Sequence, residues 1–566
     1  MTEEEKSRIV SNEYADLIIF YLNNPPVLNE IPGAVIQIMN EAYAIAYIPV
    51  AQLATIGFDA FGYTTTPNLC GLASELATEA SGITELRNYP GFNLRGEGVL
   101  VGIIDTGINY NLPAFKNADG TTRVAAIWDQ TIQNGPSPFN TEFGTEYPAE
   151  QINQALTSAN PLEVVPSTDE NGHGTMLAGI AVGTENNEAD FAGVAPAAEL
   201  VIVKLMQAKE YLKNFYGVPL SVPCYQENSI MWGAQYCIQK ARELNRPISI
   251  CIGIGTSQGA HDGNSNLSAF LSLLANFPKT TIVTAIGNEG NKGRHFHGVI
   301  DPDSGTTIVE MNVGEQDKSF SMELWGDSTG IFSIDILSPS GEYIPRIPPG
   351  LRVSRQISFI FEQTVIFIEY QTVETLTGDQ LILMRFRNTS PGTWRFTVYG
   401  QGNLAAGFHI WLPMDEMISS DTYFIQPDIY TTSLSPGTAE TPITVTAYNA
   451  TSGTLYVNAG RGYTRANVIK PDLAAPGVNY LAPNLQGGYA NFTGTGVAAA
   501  HTAGVTALML EWGVVDGNQP NIETVEIKKY LIRGAKRSSN LAYPNRDWGF
   551  GILDILGTFN ALRINI

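Results

Sequence analysis

The chain is short of charge. Only 15% of its 566 residues are Asp, Glu, Lys or Arg, against about a quarter in an average soluble protein. Basic residues are the scarcer kind, 32 against 55 acidic ones, for a net charge of −23. A surface of that sign repels polyanions, so nucleic acid is excluded and no membrane partner is expected. Cysteine is sparse as well. Cys70, Cys224, Cys237 and Cys251 show no Cys-x-x-Cys spacing, which points to neither a zinc site nor a disulfide framework and leaves buried, reduced thiols. Long apolar runs are missing: Leu17 to Leu22 falls far below the roughly 20 residues of a membrane span. The start, Met1-Thr2-Glu3-Glu4-Glu5-Lys6, carries no secretion signal, so cytoplasmic synthesis is expected. No Gly-x-Gly-x-x-Gly joins a strand to a helix, and no cofactor is implied. Abundant instead are hydrophobic residues, at 44%, and aromatics, at 10%, enough for large cores and too many for disorder.

The length predicts three to four folding units at about 150 residues each, and the patterning suggests where they divide. Residues 1–66 read as a small α+β block, with strand-like Asp16 to Tyr21, an Asn-Pro-Pro break, and the runs Val35 to Ile38 and Ala44 to Ile48. Residues 67–299 change character at Val99 to Ile104, an apolar run suited to a strand covered on both faces of a parallel sheet. Similar runs at Glu199 to Leu205, Ile248 to Ile254 and Thr281 to Ile286 alternate with helical lengths such as Asn228 to Leu244, the signature of a doubly wound, mostly parallel α/β sheet. Across 300–430 the period becomes two, as in Phe332-Ser333-Ile334-Asp335-Ile336, with turns such as Ser338-Pro339-Ser340-Gly341. An inserted all-β, jelly-roll-like sandwich is expected there. Over 431–566 the α/β pattern resumes at Ile443-Thr444-Val445, followed by a long helix from near Val497.

Four segments carry chemistry. Asp105 closes the first buried strand, where open α/β sheets place their sites, although a strand-end Asp also serves as a cap or turn former. His173 stands between glycines in Asn171-Gly172-His173-Gly174-Thr175, one of only six histidines. Asn288 follows another buried strand and offers an amide to a developing oxyanion, or forms a plain Asx turn. Last comes Phe492-Thr493-Gly494-Thr495-Gly496-Val497, a glycine-rich turn feeding a small-residue helix in which His501 reads as a packed structural residue. His295-Phe296-His297 has a spacing suited to a metal but no acidic or cysteine partner at a telling distance, and the acidic loop Thr184 to Asp190 reads as solvated, so no metal is expected.

In the order Asp, His, Asn, Gly-Thr-x, these segments resemble the subtilisin-like (S8) serine proteases. Gly193-Val194-Ala195-Pro196 and Lys470-Pro471-Asp472-Leu473-Ala474-Ala475-Pro476-Gly477 strengthen the likeness, which covers about 98–300 and 430–560. It implies that Asp105 orients the imidazole, His173 is the general base, and Asn288 with a backbone N–H binds the oxyanion. The strand Ile250, Cys251, Ile252, Gly253, Ile254, Gly255 then resembles the edge that pairs with an extended peptide substrate. Where the family has serine, this chain has Gly496. The domain plan is similar to the Csp germination proteases of spore-forming anaerobes, a branch with active members and pseudoproteases. That resemblance implies a regulatory pseudoprotease of spore germination, packaged in spores, which keeps its prodomain in the cleft and recognises a peptide, a protein substrate or a protein partner. On this reading Tyr63 to Pro67 lies across Gly496. The competing expectation is an active subtilisin-like endopeptidase, with an autoprocessed prodomain, inactivated by a serine-to-glycine change. A sandwich-led carbohydrate-binding protein accounts for 300–430 but for none of the four segments.

Overall fold

The computed structural model describes residues 1–28, 31, 33–56, 62–72, 81, 93–301, 303–402 and 405–563. At its centre is a nine-stranded sheet. The strands Ile443–Asn449, Thr280–Ala285, Ile248–Ile252, Leu100–Asp105, Glu199–Lys204 and Val124–Asp129 run parallel in that spatial order. Leu473–Pro476 adds to Ile443–Asn449 in parallel, while Thr145–Pro148 and Thr454–Leu455 pair antiparallel at the two margins. Alternate residues of each inner strand feed opposite cores, because successive side chains leave a strand on opposite faces. Val101 and Ile103 join the cluster containing the helices His173–Val182 and Thr495–Leu510. Leu100 and Ile104 join the cluster under the helices Glu227–Glu243 and Asn266–Leu274. Helices cover both faces, as the continuous apolar runs require. The four cysteines are buried thiols.

The N-terminal residues form a three-stranded antiparallel sheet of Tyr14–Phe20, Tyr43–Pro49 and Val35–Ile38, with Tyr43–Pro49, the last in sequence, at the centre. Ile18, Ile45 and Tyr47 face the core helices, and Leu17, Ala46 and Ile48 pack into a separate apolar cluster on the other face. At this junction Asp16 is fully buried. It ion-pairs with Lys209 and accepts hydrogen bonds from Asn228 Nδ2 at 2.8 Å and Gln226 Nε2 at 3.2 Å.

Between His295 and Phe424 the chain forms two antiparallel sheets, of six and five strands. Phe320, Ile334, Ile368, Ile382, Phe396 and their neighbours build one apolar cluster between them. Alternation puts one face of each sheet inward, while Trp325, Leu381, Leu383 and Trp411 on the other face of the six-stranded sheet are buried against Tyr63 and Ala260. The segment departs after the Thr280–Ala285 strand and the chain rejoins the central sheet at Ile443–Asn449, two strands that pair in parallel.

Candidate active site

Asp105 is the last residue of the Leu100–Asp105 strand and is fully buried. Its Oδ1 accepts from the Thr106 N–H at 2.8 Å and lies 2.7 Å from His173 Nδ1. His173 opens the His173–Val182 helix, after Gly172 at φ +94°, a left-handed turn that glycine adopts without strain. Asp169 fastens this helix start: Oδ1 accepts from the Gly172 N–H at 2.8 Å, and Oδ2 accepts from the Thr175 N–H at 2.9 Å and hydroxyl at 2.7 Å. The Thr106 hydroxyl accepts from the Gly174 N–H at 2.9 Å and so ties strand end to helix start. Burial pulls the His173 pKa down, but the charge and hydrogen bond of Asp105 outweigh it and the net shift is upward. His173 Nε2 is buried and has no hydrogen-bond partner among the described residues.

Asn288 follows the Thr280–Ala285 strand and is held from the far side of the cleft. Its Oδ1 accepts from both the N–H and the hydroxyl of Thr495, each at 3.1 Å, while the Gly287 N–H donates to Thr495 Oγ1 at 3.0 Å. With the carbonyl end engaged, the amino end of the amide is the one available to a ligand. Gly496 is the second residue of the Thr495–Leu510 helix and has ordinary helical backbone, compatible with any L residue. Gly253 stands between the imidazole and this helix. A Cβ built on it would lie 3.3 Å from His173 Cε1, 3.7 Å from Gly496 Cα and only 2.6 Å from Leu177 Cδ1. That approach leaves room for glycine alone.

The peptide-pairing edge is shorter than the sequence suggests. Ile250, Cys251 and Ile252 are inner residues of the central sheet, flanked by Gly102, Ile103 and the 282–284 stretch, so they offer no free edge. After the break at Gly253, Ile254 and Gly255 pair antiparallel with Leu72 and Gly71. Leu69 and Cys70 pair in turn with Gln226 and Tyr225. Residues Leu69–Leu72 are therefore the middle strand of a three-stranded sheet. The Tyr63 to Pro67 segment does not lie across Gly496. Tyr63 turns into the antiparallel sheets instead, where its hydroxyl donates to Glu323 at 2.8 Å and its ring meets Trp325 edge-on at 5.7 Å. Pro67 interrupts pairing, and the strand begins only two residues later.

Leu72 reaches a cavity of about 510 Å³ lined also by His173, Asn288, Glu289, Lys292 and Glu416. Asp169, Glu289 and Glu416 were not singled out from the sequence. Asp169 is close to His173 in sequence but lies three residues before the N-cap Gly172, outside a capping box; Glu416 lies in a distant loop and carries no local signal. His295 and His297 are in a strand paired with Gly407–Trp411, with His295 Nε2 2.8 Å from His409 Nδ1. Among the described residues no cluster of His, Cys, Asp or Glu is arranged to hold a metal, and no helix is long and apolar enough to cross a membrane.

A family model described as the subtilase family matches residues 96–318 and 417–551. The chain is similar to the subtilisin-like protease SBT1.9 of Arabidopsis thaliana, 25% identical over 497 residues, and to mycosin-3 of Mycobacterium tuberculosis, 30% identical over 186 residues. Those alignments cover 79% and 32% of this chain, and it spans only 60% and 36% of the length of these two relatives. Among solved structures it resembles the Clostridium perfringens CspB protease, with a TM-score of 0.76 and 32% identity over 86% of this chain and 97% of that one. Fold, triad order and matched segments agree, and the chain belongs to the subtilase family, in its Csp-like branch.

Proposed function

We propose that this chain is a proteolytically inactive subtilase that works by binding. The observation that carries the reading is Gly496: the helix position that should present a nucleophile has no side chain, and His173 Nε2 has no hydrogen-bond partner among the described residues. Asp105 orients the imidazole, His173 can take a proton, and Asn288 can donate to an oxyanion, but no oxygen stands ready to attack a carbonyl. In subtilisin itself, loss of the serine costs about 2 × 10⁶ in kcat. The hydroxyl of Thr495 is no substitute, being committed to Asn288 and Gly287.

On this reading residues up to Leu72 are an uncut prodomain whose Leu69–Leu72 strand occupies the acyl side of the cleft. Covalent attachment gives such a strand an effective concentration of roughly millimolar. The role we propose is regulatory, in spore germination signalling, on the strength of the likeness to the Csp branch.

The test is Gly496→Ser. The wild-type chain is expected to stay whole at 61.3 kDa and to resist a fluorophosphonate probe. The variant is expected to react with the probe and to release an N-terminal fragment ending just beyond Leu72, read by mass spectrometry. Labelling or self-cleavage of the wild type, with contaminating protease excluded, overturns the inactive reading. A folded variant that neither labels nor cleaves overturns the assignment of Asp105, His173 and Asn288.

A further inference from the structure

The cavity next to His173 is unevenly charged. Beside His173, four ionic side chains line its wall, Glu289, Lys292, Asp415 and Glu416, and the buried Arg294 pairs with Asp415. Both cations are already engaged by one carboxylate, with Lys292 Nζ at 2.6 Å and Arg294 Nη2 at 3.3 Å from Asp415. Among the described residues neither Glu289 nor Glu416 forms an ion pair, although the charges of Arg294 and Lys292 also act on Glu289. Glu289 is 3% exposed; its Oε1 accepts from the Asp415 N–H at 3.2 Å, but Oε2 is buried with no hydrogen-bond partner among the described residues. A buried carboxylate oxygen left unmatched is costly and calls for a donor. Glu416 lines the same cavity at its rim. It holds φ at +71°, an uncommon conformation for a residue with a side chain. Its charge reaches His173, whose pKa it helps to raise. Asp415 and Glu416 come from the tail of the segment between the two matched family blocks, whereas Glu289 and Lys292 lie within the first block, so the wall is shared between the insertion and the core.

We infer that the cavity is a cation-accepting subsite, which takes a guanidinium or ammonium group between Glu289 and Glu416. A planar guanidinium would give Glu289 Oε2 its missing donor and balance the second carboxylate at the rim. The inference rests on the cleft being a binding site, and not on the absence of proteolysis. Burial pushes the Glu289 pKa up to about 7, so the guest is held more tightly as pH rises and Glu289 ionises.

The test is calorimetry on the full chain with butylguanidine and its neutral isostere butylurea. Butylguanidine is expected to bind at least about tenfold more tightly, a difference of about 1.4 kcal/mol, and its affinity is expected to rise between pH 6 and 8. Glu289→Gln and Glu416→Gln, checked for folding by their melting curves, are each expected to weaken it by about three- to tenfold, and Glu289→Gln to reduce the pH dependence to the part that His173, which lines the same cavity, supplies. Equal binding of the two compounds, no binding of either, or variants that bind like wild type overturn the subsite. Acetyl-arginine-amide, too short to need the acyl side that Leu69–Leu72 fills, separates the sources of the cation. Binding tighter than butylguanidine assigns the subsite to a basic side chain of a polypeptide, and weaker or equal binding to a free small cation. Fluorophosphonate labelling of the wild type overturns the inactive reading alone, whereas failure of butylguanidine to bind the folded chain overturns the subsite alone.

Discussion

One hydroxymethyl group separates Gly496 from a complete catalytic set, and the groups around it have kept their places. Thr495 illustrates how closely they depend on each other, since it fixes the oxygen of Asn288 by two hydrogen bonds. Removing one oxyanion donor from a subtilase costs about 10² to 10³ in rate. Thr495→Val in the Gly496→Ser background keeps the backbone bond and loses the hydroxyl, so the fluorophosphonate reaction is expected to slow by about tenfold with the melting temperature little changed. An unchanged rate would show that Thr495 does not position the amide. Asp105, His173, Asn288 and Gly496 were legible in the sequence because each follows a buried apolar run or sits in a glycine frame. The roles of Thr495, Glu289 and Glu416 were not, because they come from contacts across 207, 126 and more residues of chain, which no local pattern records.

At the scale of elements, the parallel strands were legible from their unbroken apolar runs, and the two antiparallel sheets from alternation. Register was not. The Ile250 to Gly255 stretch reads as one strand, but the close approach of Leu177 and His173 to Gly253 divides it into an inner piece and an edge piece. In the same way, Tyr63 to Pro67 reads as the natural tail, and the buried carboxylate of Glu323 captures Tyr63 first. The N-terminal sheet makes a sharper energetic claim. Its Asp16 is the buried partner of Lys209, whose side chain is 3% exposed. Breaking a buried pair from one side strands the other charge, at about 3–5 kcal/mol. Asp16→Ala is therefore expected to lower the urea midpoint by that free energy and to loosen residues 1–49 in hydrogen exchange. A loss below about 1 kcal/mol would mean that water reaches Lys209 in the folded state.

Across the whole molecule, the insertion and the central sheet meet at a column of rings. His261 stacks on Trp411 at 4.0 Å, Trp411 on His295 at 4.8 Å, and His295 on His409 at 5.1 Å. Burial first, then the neighbouring histidines, push His295 down to about 3 and His409 down further. A histidine with a depressed folded pKa contributes stability that is complete above about 6.5, the unfolded value, and is lost as pH falls toward the folded one. Each such residue steepens the acid limb by up to about 1.4 kcal/mol per pH unit. His295→Phe is expected to flatten the stability profile between pH 6.5 and 4 by about one proton, measured by urea unfolding at stepped pH. A slope identical to wild type would show that His295 takes up its proton in the folded state over the same range. The Leu69–Leu72 strand carries a consequence of another kind, one of time. It is hydrogen-bonded on both sides, to Tyr225–Gln226 and to Ile254–Gly255, so a rival peptide cannot add beside it and must wait for it to leave. Adding more rival beyond saturation then gains no speed: the rate of exchange reaches a ceiling equal to the opening rate of the strand, and the protein itself sets how fast it can be switched.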